Sequence, residues 1–258
     1  MDLLKELYDY REMIVALVHR DLKGRYKGSV LGFAWTFVNP LLQLCVYTLV
    51  FSVIMRNGIE DYYLFLFVTL VPWIFFSTSV SAGSTCIRSQ GGMLTKIYFP
   101  REVIPISFVT SQFVNMALSL IVVFVVLLLS PRGLNPIALL YLPLVMIIEY
   151  IMALGMTMII SALTVYFRDL EYLMNVVTMA WQFLTPVMYG IDSVPEKLRF
   201  VFNLNPMSSV MIAYRDILYY GQAPDLKTLI VAVIFGIVVM LVGVKVFGRL
   251  KKHFAEVM

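Results

Sequence analysis

HRDLKGRYKGSVLGFAWTFVNP, running from His19 to Pro40, decides how this chain is read. Its first half carries Arg20, Lys23, Arg25 and Lys27, and from Val30 the sequence stays largely apolar as far as Met55. A basic cluster directly before a long apolar run orients a membrane span, because Lys and Arg are retained on the cytoplasmic side. The chain is therefore expected to enter the bilayer from within. The sidedness of everything downstream follows from this junction.

Working outward, the composition agrees. Apolar residues make up 60% of the 258 and charged residues 14%, where a soluble domain carries about a quarter charged. The formal charge of +4 is unevenly spread, which reports on membrane sidedness and not on nucleic-acid binding. Upstream of the junction, Met1 to Val18 mixes acids and bases with apolar residues, so no continuous apolar region of a cleavable signal is expected. Leu3, Leu7, Tyr10, Ile14 and Leu17 recur at helical spacing. They predict an amphipathic helix, lying on the inner membrane surface or docked on a partner, with Gly24 and Gly28 breaking it.

Downstream, six spans of about 20 residues or more are expected, near 33–55, 63–86, 104–129, 137–165, 172–190 and 228–247. The fold class is all-α integral membrane, with both termini inside. Fourteen of the 20 Lys and Arg then fall on the inner side, Lys245, Arg249, Lys251 and Lys252 among them, as the positive-inside rule asks. Residues 1–29 form a cytoplasmic helix and linker, 30–250 the membrane domain, and 251–258 a cytoplasmic tail. Cys45 falls in the first span and Cys86 at the inner end of the second, so no disulfide is expected.

Two connections carry more than turn residues. RSQGGMLTKIYFPREVIP, Arg88 to Pro105, opens a short helical piece at Gly91 and Gly92 and closes it at Pro100, with Lys96, Arg101 and Glu102 holding it in water. The outer stretch 190–227 predicts two helical pieces. One is Glu196 to Leu204, burying Leu198, Val201 and Phe202; the other is capped by Asn205, started by Pro206 and stopped at Gly221. Neither is long enough to span, so a re-entrant hairpin is expected.

Catalytic signals are absent: there is no GxxxxGK[ST] loop, no Cys/His cluster and no hydrolase or kinase motif. Glu149, in the outer half of the fourth span, is either a gating group facing water or a packed residue near Gln112 or Asn115. Phe33, Phe37, Tyr47 and Phe51 lie within roughly 40° of one direction around the first span. That stripe either stacks on passing sugar rings or packs against lipid and neighbouring spans. Trp181, Gln182, Phe183, Thr185 and Tyr189 surround Pro186, which predicts a broken helix beside a cavity. Ala153, Thr157 and Ser161 form a close-packing row.

HRDLKGRYKGSVLGFAWTFVNPLLQLCVY, KIYFPREVIPIS, VYFRDLEYL, P-x-x-Y at Pro186, NP at Asn205 and YRDILYYG together resemble the permease subunit of type 2 ABC exporters. The likeness is greatest to bacterial exporters of O-antigen, teichoic acid and related lipid-linked glycans. The resemblance implies a homodimer in the bacterial cytoplasmic membrane, with two ATP-binding subunits that carry ATP and Mg. No cofactor or metal is implied on this chain. It implies a glycan channel lined by the first and fifth spans, hence by Phe33, Phe37, Tyr47, Phe51, Trp181 and Tyr189. ATPase coupling would fall to Lys96, Phe99, Arg101 and Glu102, with Phe99 as apolar anchor. A cytoplasmic entrance would involve Arg20, Arg25, Tyr26, Arg168 and Asp169, and an outer gate Asn205, Pro206, Tyr214 and Arg215. The alternatives are a type 2 exporter of a small lipid or drug, and a membrane glycosyl- or acyltransferase relying on Glu149.

Overall fold

A computed structural model describes residues 2–25, 28–55, 58–94 and 96–254. The described residues form helices and turns with no strand. Two short helices open the chain, α1 (Asp2–Asp9) and α2 (Arg11–Arg25). Hydrogen bonds from Tyr10 N to Glu6 O and from Ile14 N to Tyr10 O, both 3.1 Å, run across their joint. The expected single helix is thus a bent pair. It passes through Gly24, and the break comes at Gly28, whose φ of +83° favours glycine.

α3 (Trp35–Thr48) starts from a 3₁₀ turn at Gly32–Ala34 and ends in a π turn at Leu49–Ile54. Next come α4 (Tyr62–Ser81), the short α5 (Cys86–Ser89) and α6 (Gly91–Leu94), and α7 (Val103–Leu129). α8 (Pro136–Leu139) leads into α9 (Leu142–Tyr166), and α10 (Leu170–Phe183) follows a tight turn. α11 (Glu196–Leu204), α12 (Pro206–Leu218) and α13 (Leu226–Leu250) complete the order.

Five segments are long and apolar enough to cross a bilayer: Gly32–Ile54, Tyr62–Ser89, Val103–Leu129, Pro136–Tyr166 and Leu226–His253. The fifth expected span, near 172–190, differs. α10 has 14 residues, about 21 Å of helix against a bilayer core of about 30 Å. Beyond Phe183 the backbone leaves the helix.

α4 is apolar on every face and is the buried centre of the subunit, touching α3, α7, α9, α10 and α12. The most extensive pairing is α9 with α13. A Cβ on Gly243 would lie 2.5 Å from Gly155 O, and one on Gly155 would lie 2.8 Å from Met240 backbone atoms. The two backbones therefore touch, the arrangement small residues allow where no hydrophobic effect drives helices together. Ala153, Thr157 and Ser161 are all fully buried, with Thr157 Oγ1 donating to Ser79 O at 2.8 Å.

The C-terminal end is not a free tail as far as Phe254. A 3₁₀ turn, Lys251–His253, extends α13, and the buried Phe254 ring packs on Tyr166 and Phe247. Cys45 is exposed and Cys86 buried, and neither is in a disulfide.

Candidate functional site

The break after α10 is held by residues of two other elements, α4 and the capped α12. Non-helical backbone at membrane depth persists only where its polar groups find partners within the protein. Each carbonyl from Phe183 to Tyr189 has one. Tyr189 Oη donates to Phe183 O, Asn205 Nδ2 to Leu184 O (3.0 Å), and Val187 N to Thr185 O (2.7 Å). From α4, Thr69 Oγ1 donates to Val187 O (3.0 Å) and Tyr62 Oη to Met188 O (2.8 Å). From α12, Arg215 donates to Pro186 O (2.8 Å), Val187 O (3.1 Å) and Tyr189 O (3.4 Å).

Arg215 holds this cluster together. It is only 4% exposed, and its guanidinium carbon lies 3.7 Å from the centroid of the Phe65 ring. No carboxylate pairs with it among the described residues. Three carbonyl dipoles and an aromatic face hold the charge instead, a task suited to a planar fork of donors. Sequence alone places Arg215 among the outer-side cations. The resemblance adds only its place beside Tyr214 in the expected outer gate.

Asn205 has two roles. Its Oδ1 caps α12 by accepting from Met207 N (3.1 Å) and also accepts from Trp181 Nε1 (2.9 Å). Trp181 and Asn205, expected in the channel and the gate respectively, are thus joined directly. Pro206 begins α12 behind that cap. Tyr214 donates to Glu149 Oε2 at 2.7 Å, and both residues are fully buried. The expectation that Glu149 packs near Gln112 or Asn115 is corrected: its partner comes from α12.

Further out, Arg132 pairs with Asp61 (2.9 Å) and lies over the Tyr219 ring (4.2 Å). The Asp61 hydrogen bond holds the Arg132 pKa above its usual value.

The first-span aromatics divide into two groups. Phe33 and Phe37 meet edge to face at 5.5 Å, near the N-terminal end of α3. Tyr47 is half-buried, and Phe51 stacks toward Tyr62 of α4 at 6.1 Å. Trp181 also meets α4, edge to face on Phe76 at 5.3 Å, while Tyr189 packs on Phe202. Phe51 and Trp181 thus each meet a ring of α4. Among the described side chains of α11 only Phe202 is buried; Leu198 and Val201 are exposed, which corrects their expected burial.

At the opposite end, Phe99 is 4% exposed and belongs to the core, whereas Tyr98 is 87% and Ile97 58% exposed. Phe99 as an apolar anchor for a partner is corrected on this ground, because the preceding two residues carry the outward apolar surface. Glu102 does not sit in water either. It is buried and paired with Lys251, and Arg101 lies over the Phe254 ring at 5.7 Å. Lys96, Arg101, Lys251 and Lys252 surround a cavity of about 540 Å³ that Glu6 of α1 also lines.

Among the entrance residues, Arg20, Arg168 and Asp169 are exposed. Arg20 borders a cavity with His19 and Lys23. Tyr26 and the Arg25 side chain lie outside the described residues. Arg88 reaches Glu171 at 3.2 Å, tying the loop after α4 to the first turn of α10. Among the described residues no three His, Cys, Asp or Glu side chains converge as a metal site.

The sequence profile of the ABC-2 type transporter family matches residues 12–219, from α2 through the end of α12. The chain belongs to that family. Among its ABC-2 relatives, the O-antigen export system permease protein RfbA of Myxococcus xanthus is 38% identical over 98% of both chains. A protein of the same name from Klebsiella pneumoniae is 32% identical over 96% of this chain and 95% of its own. The polysialic acid transport protein KpsM of Escherichia coli is 20% identical over 91% and 92%.

One ABC-2 expectation tests Glu149 separately from transport. Glu149→Gln keeps an acceptor for the Tyr214 hydroxyl, so folding and transport should change little. Glu149→Leu leaves that hydroxyl buried and unpaired, at about 1–3 kcal/mol. Thermal unfolding of the purified variants checks the order. Equal stability of Gln and Leu would remove the hydrogen bond from the account.

Proposed function

We propose that this chain is the permease subunit of an ATP-driven exporter that moves a lipid-linked cell-surface polysaccharide across the bacterial inner membrane. The observation that carries the reading is the near full-length likeness to O-antigen export permeases. The capped break after α10 supports it. A rigid, internally satisfied bend can border a wide polar path without losing its shape to passing hydroxyl groups.

Six crossings follow if α10 and residues 184–190 together traverse the bilayer, with α11 and α12 as the outer re-entrant hairpin and both termini inside. Two copies of the chain line the path. Outward apolar rows on α3 (Leu42, Val46, Leu49) and α10 (Val176, Met179, Phe183) offer surface for a second copy. ATP and Mg bind on two partner subunits, seated against Ile97 and Tyr98 and the cations around them. Four cations beside one acid suit an acidic cleft.

The first test is assembly. Purified alone, the chain should hydrolyse no ATP. Co-expressed with the ATP-binding subunit, it should elute as two copies of each, measured by light scattering. A lipid-linked sugar turned over by the isolated chain, with loss in Glu149→Gln, would favour a transferase instead.

A further inference from the structure

A second polar feature lies within the membrane domain, away from the break. α3, α4 and α7 enclose a cavity of about 430 Å³. Its polar walls are Thr36 and Asn39 of α3, Thr78 of α4, and Gln112, Asn115 and Ser119 of α7. Trp35 and Phe75 supply aromatic surface. These positions fall in the first turns of α3, the last turns of α4 and the middle of α7, so they run from the inner half to the centre of the membrane domain in the topology proposed above.

The cavity has a structural origin. Pro40 lies inside α3 and has no N–H, which frees the Thr36 carbonyl four residues earlier. The Ser119 hydroxyl donates to that carbonyl at 3.1 Å, fastening α7 to α3 at this level. At the mouth, Trp35 Nε1 donates to Ser29 Oγ at 2.9 Å and fixes the indole plane.

The lining chemistry narrows the ligand. Among the described residues that line it there is no Lys, Arg, His, Asp or Glu, so none of these offers a phosphate or a metal cation a counter-charge. A bare acyl chain would leave the remaining hydrogen-bonding capacity of three amides facing hydrocarbon, which is unfavourable. Amides offer two donors and an acceptor oxygen each, so one already bonded still has capacity. Aromatic faces suit the apolar faces of a ring carrying hydroxyls at its edge. The volume falls within the ~300–1,000 Å³ usual for small-molecule sites.

We propose that this cavity binds an uncharged sugar ring carried on a membrane lipid. The proposal rests on the export reading and adds a subsite within each subunit, separate from the path between copies.

The test uses the complex with its ATP-binding subunit in phosphatidylcholine nanodiscs. Monoglucosyl-diacylglycerol is the probe, with diacylglycerol and phosphatidic acid as sugar-free controls. Native mass spectrometry counts retained lipid, and Trp35 emission reports occupancy. The wild type should retain the glucolipid about tenfold better than either control. Asn39→Leu with Asn115→Leu should lose that preference while the complex stays assembled. Asn115→Ala alone, a milder change, should reduce it.

Equal retention of all three lipids, or an unchanged preference in both variants, overturns the proposal. Competition by the host's lipid-linked glycan would assign the site to cargo, and its absence to a membrane glycolipid; both are sugar rings on lipid. Should cells lacking the gene keep their surface polysaccharide while the glucolipid preference persists, the export reading falls and the sugar site stands. Normal dependence of export with no preference sinks the sugar site alone.

Discussion

Arg215→Ala is expected to abolish export and to lower the stability of the purified subunit by roughly 3–5 kcal/mol. Two effects compete. Removing a buried guanidinium relieves a desolvation penalty, since no carboxylate pairs with it. It also strips donors from Pro186, Val187 and Tyr189, leaving the Pro186 and Tyr189 carbonyls without their side-chain partner among the described residues. Each buried acceptor left unpaired costs about 1–3 kcal/mol, and the Phe65 face is vacated as well. The loss wins. Arg215→Lys should fall between, because a single ammonium cannot reach three separated carbonyls or stack flat on the ring. Thermal unfolding in detergent should give the order wild type, Lys, Ala, with Ala lower by about 10 °C. An Ala variant that unfolds with the wild type would mean the break holds itself.

Ile97→Ser combined with Tyr98→Ala is expected to reduce export more than about tenfold while the membrane domain stays folded. Both side chains point away from the core, so their loss leaves no cavity. In the proposed docking they are the apolar anchors of a patch rimmed by Lys96 and Arg101, the arrangement in which aromatic truncation weakens binding most. The partner should then dissociate during purification, or hydrolyse ATP without transport. Phe99→Ala is the informative contrast. It opens a cavity in the core and should cost about 3–5 kcal/mol of stability. If the exposed pair were silent and Phe99→Ala uncoupled a stable complex, docking would run through Phe99 after all.

The contrast between these residues marks how far sequence reaches. Apolar runs and caps are local, so five spans, the Asn205 cap and the Gly221 stop were legible. A break near Pro186 was legible too, but the donors that hold it and the π turn after α3 were not. α10 stops where tertiary donors compensate its lost helix bonds, and those donors lie on α4 and α12. Phe99 and Tyr98 are adjacent aromatics in an irregular loop, where no periodicity tells inside from outside. Glu102 looked like a solvated charge because Lys251, 149 residues away, supplies its partner. The backbone contact of Gly155 with Gly243 is equally non-local. Glycines inside apolar helices are visible in sequence, but which pair meets is not.

The central claim is that this permease exports a surface polysaccharide, and surface carbohydrate measures it most directly. In the source bacterium, the gene should be deleted in frame and replaced from a plasmid by the wild type or Arg215→Ala. Extracted surface polysaccharide should fall to background in the deletion, with lipid-linked glycan accumulating inside, and return only with the wild type. Undiminished surface polysaccharide in the deletion strain would contradict the account and turn attention to a smaller lipid or drug as cargo.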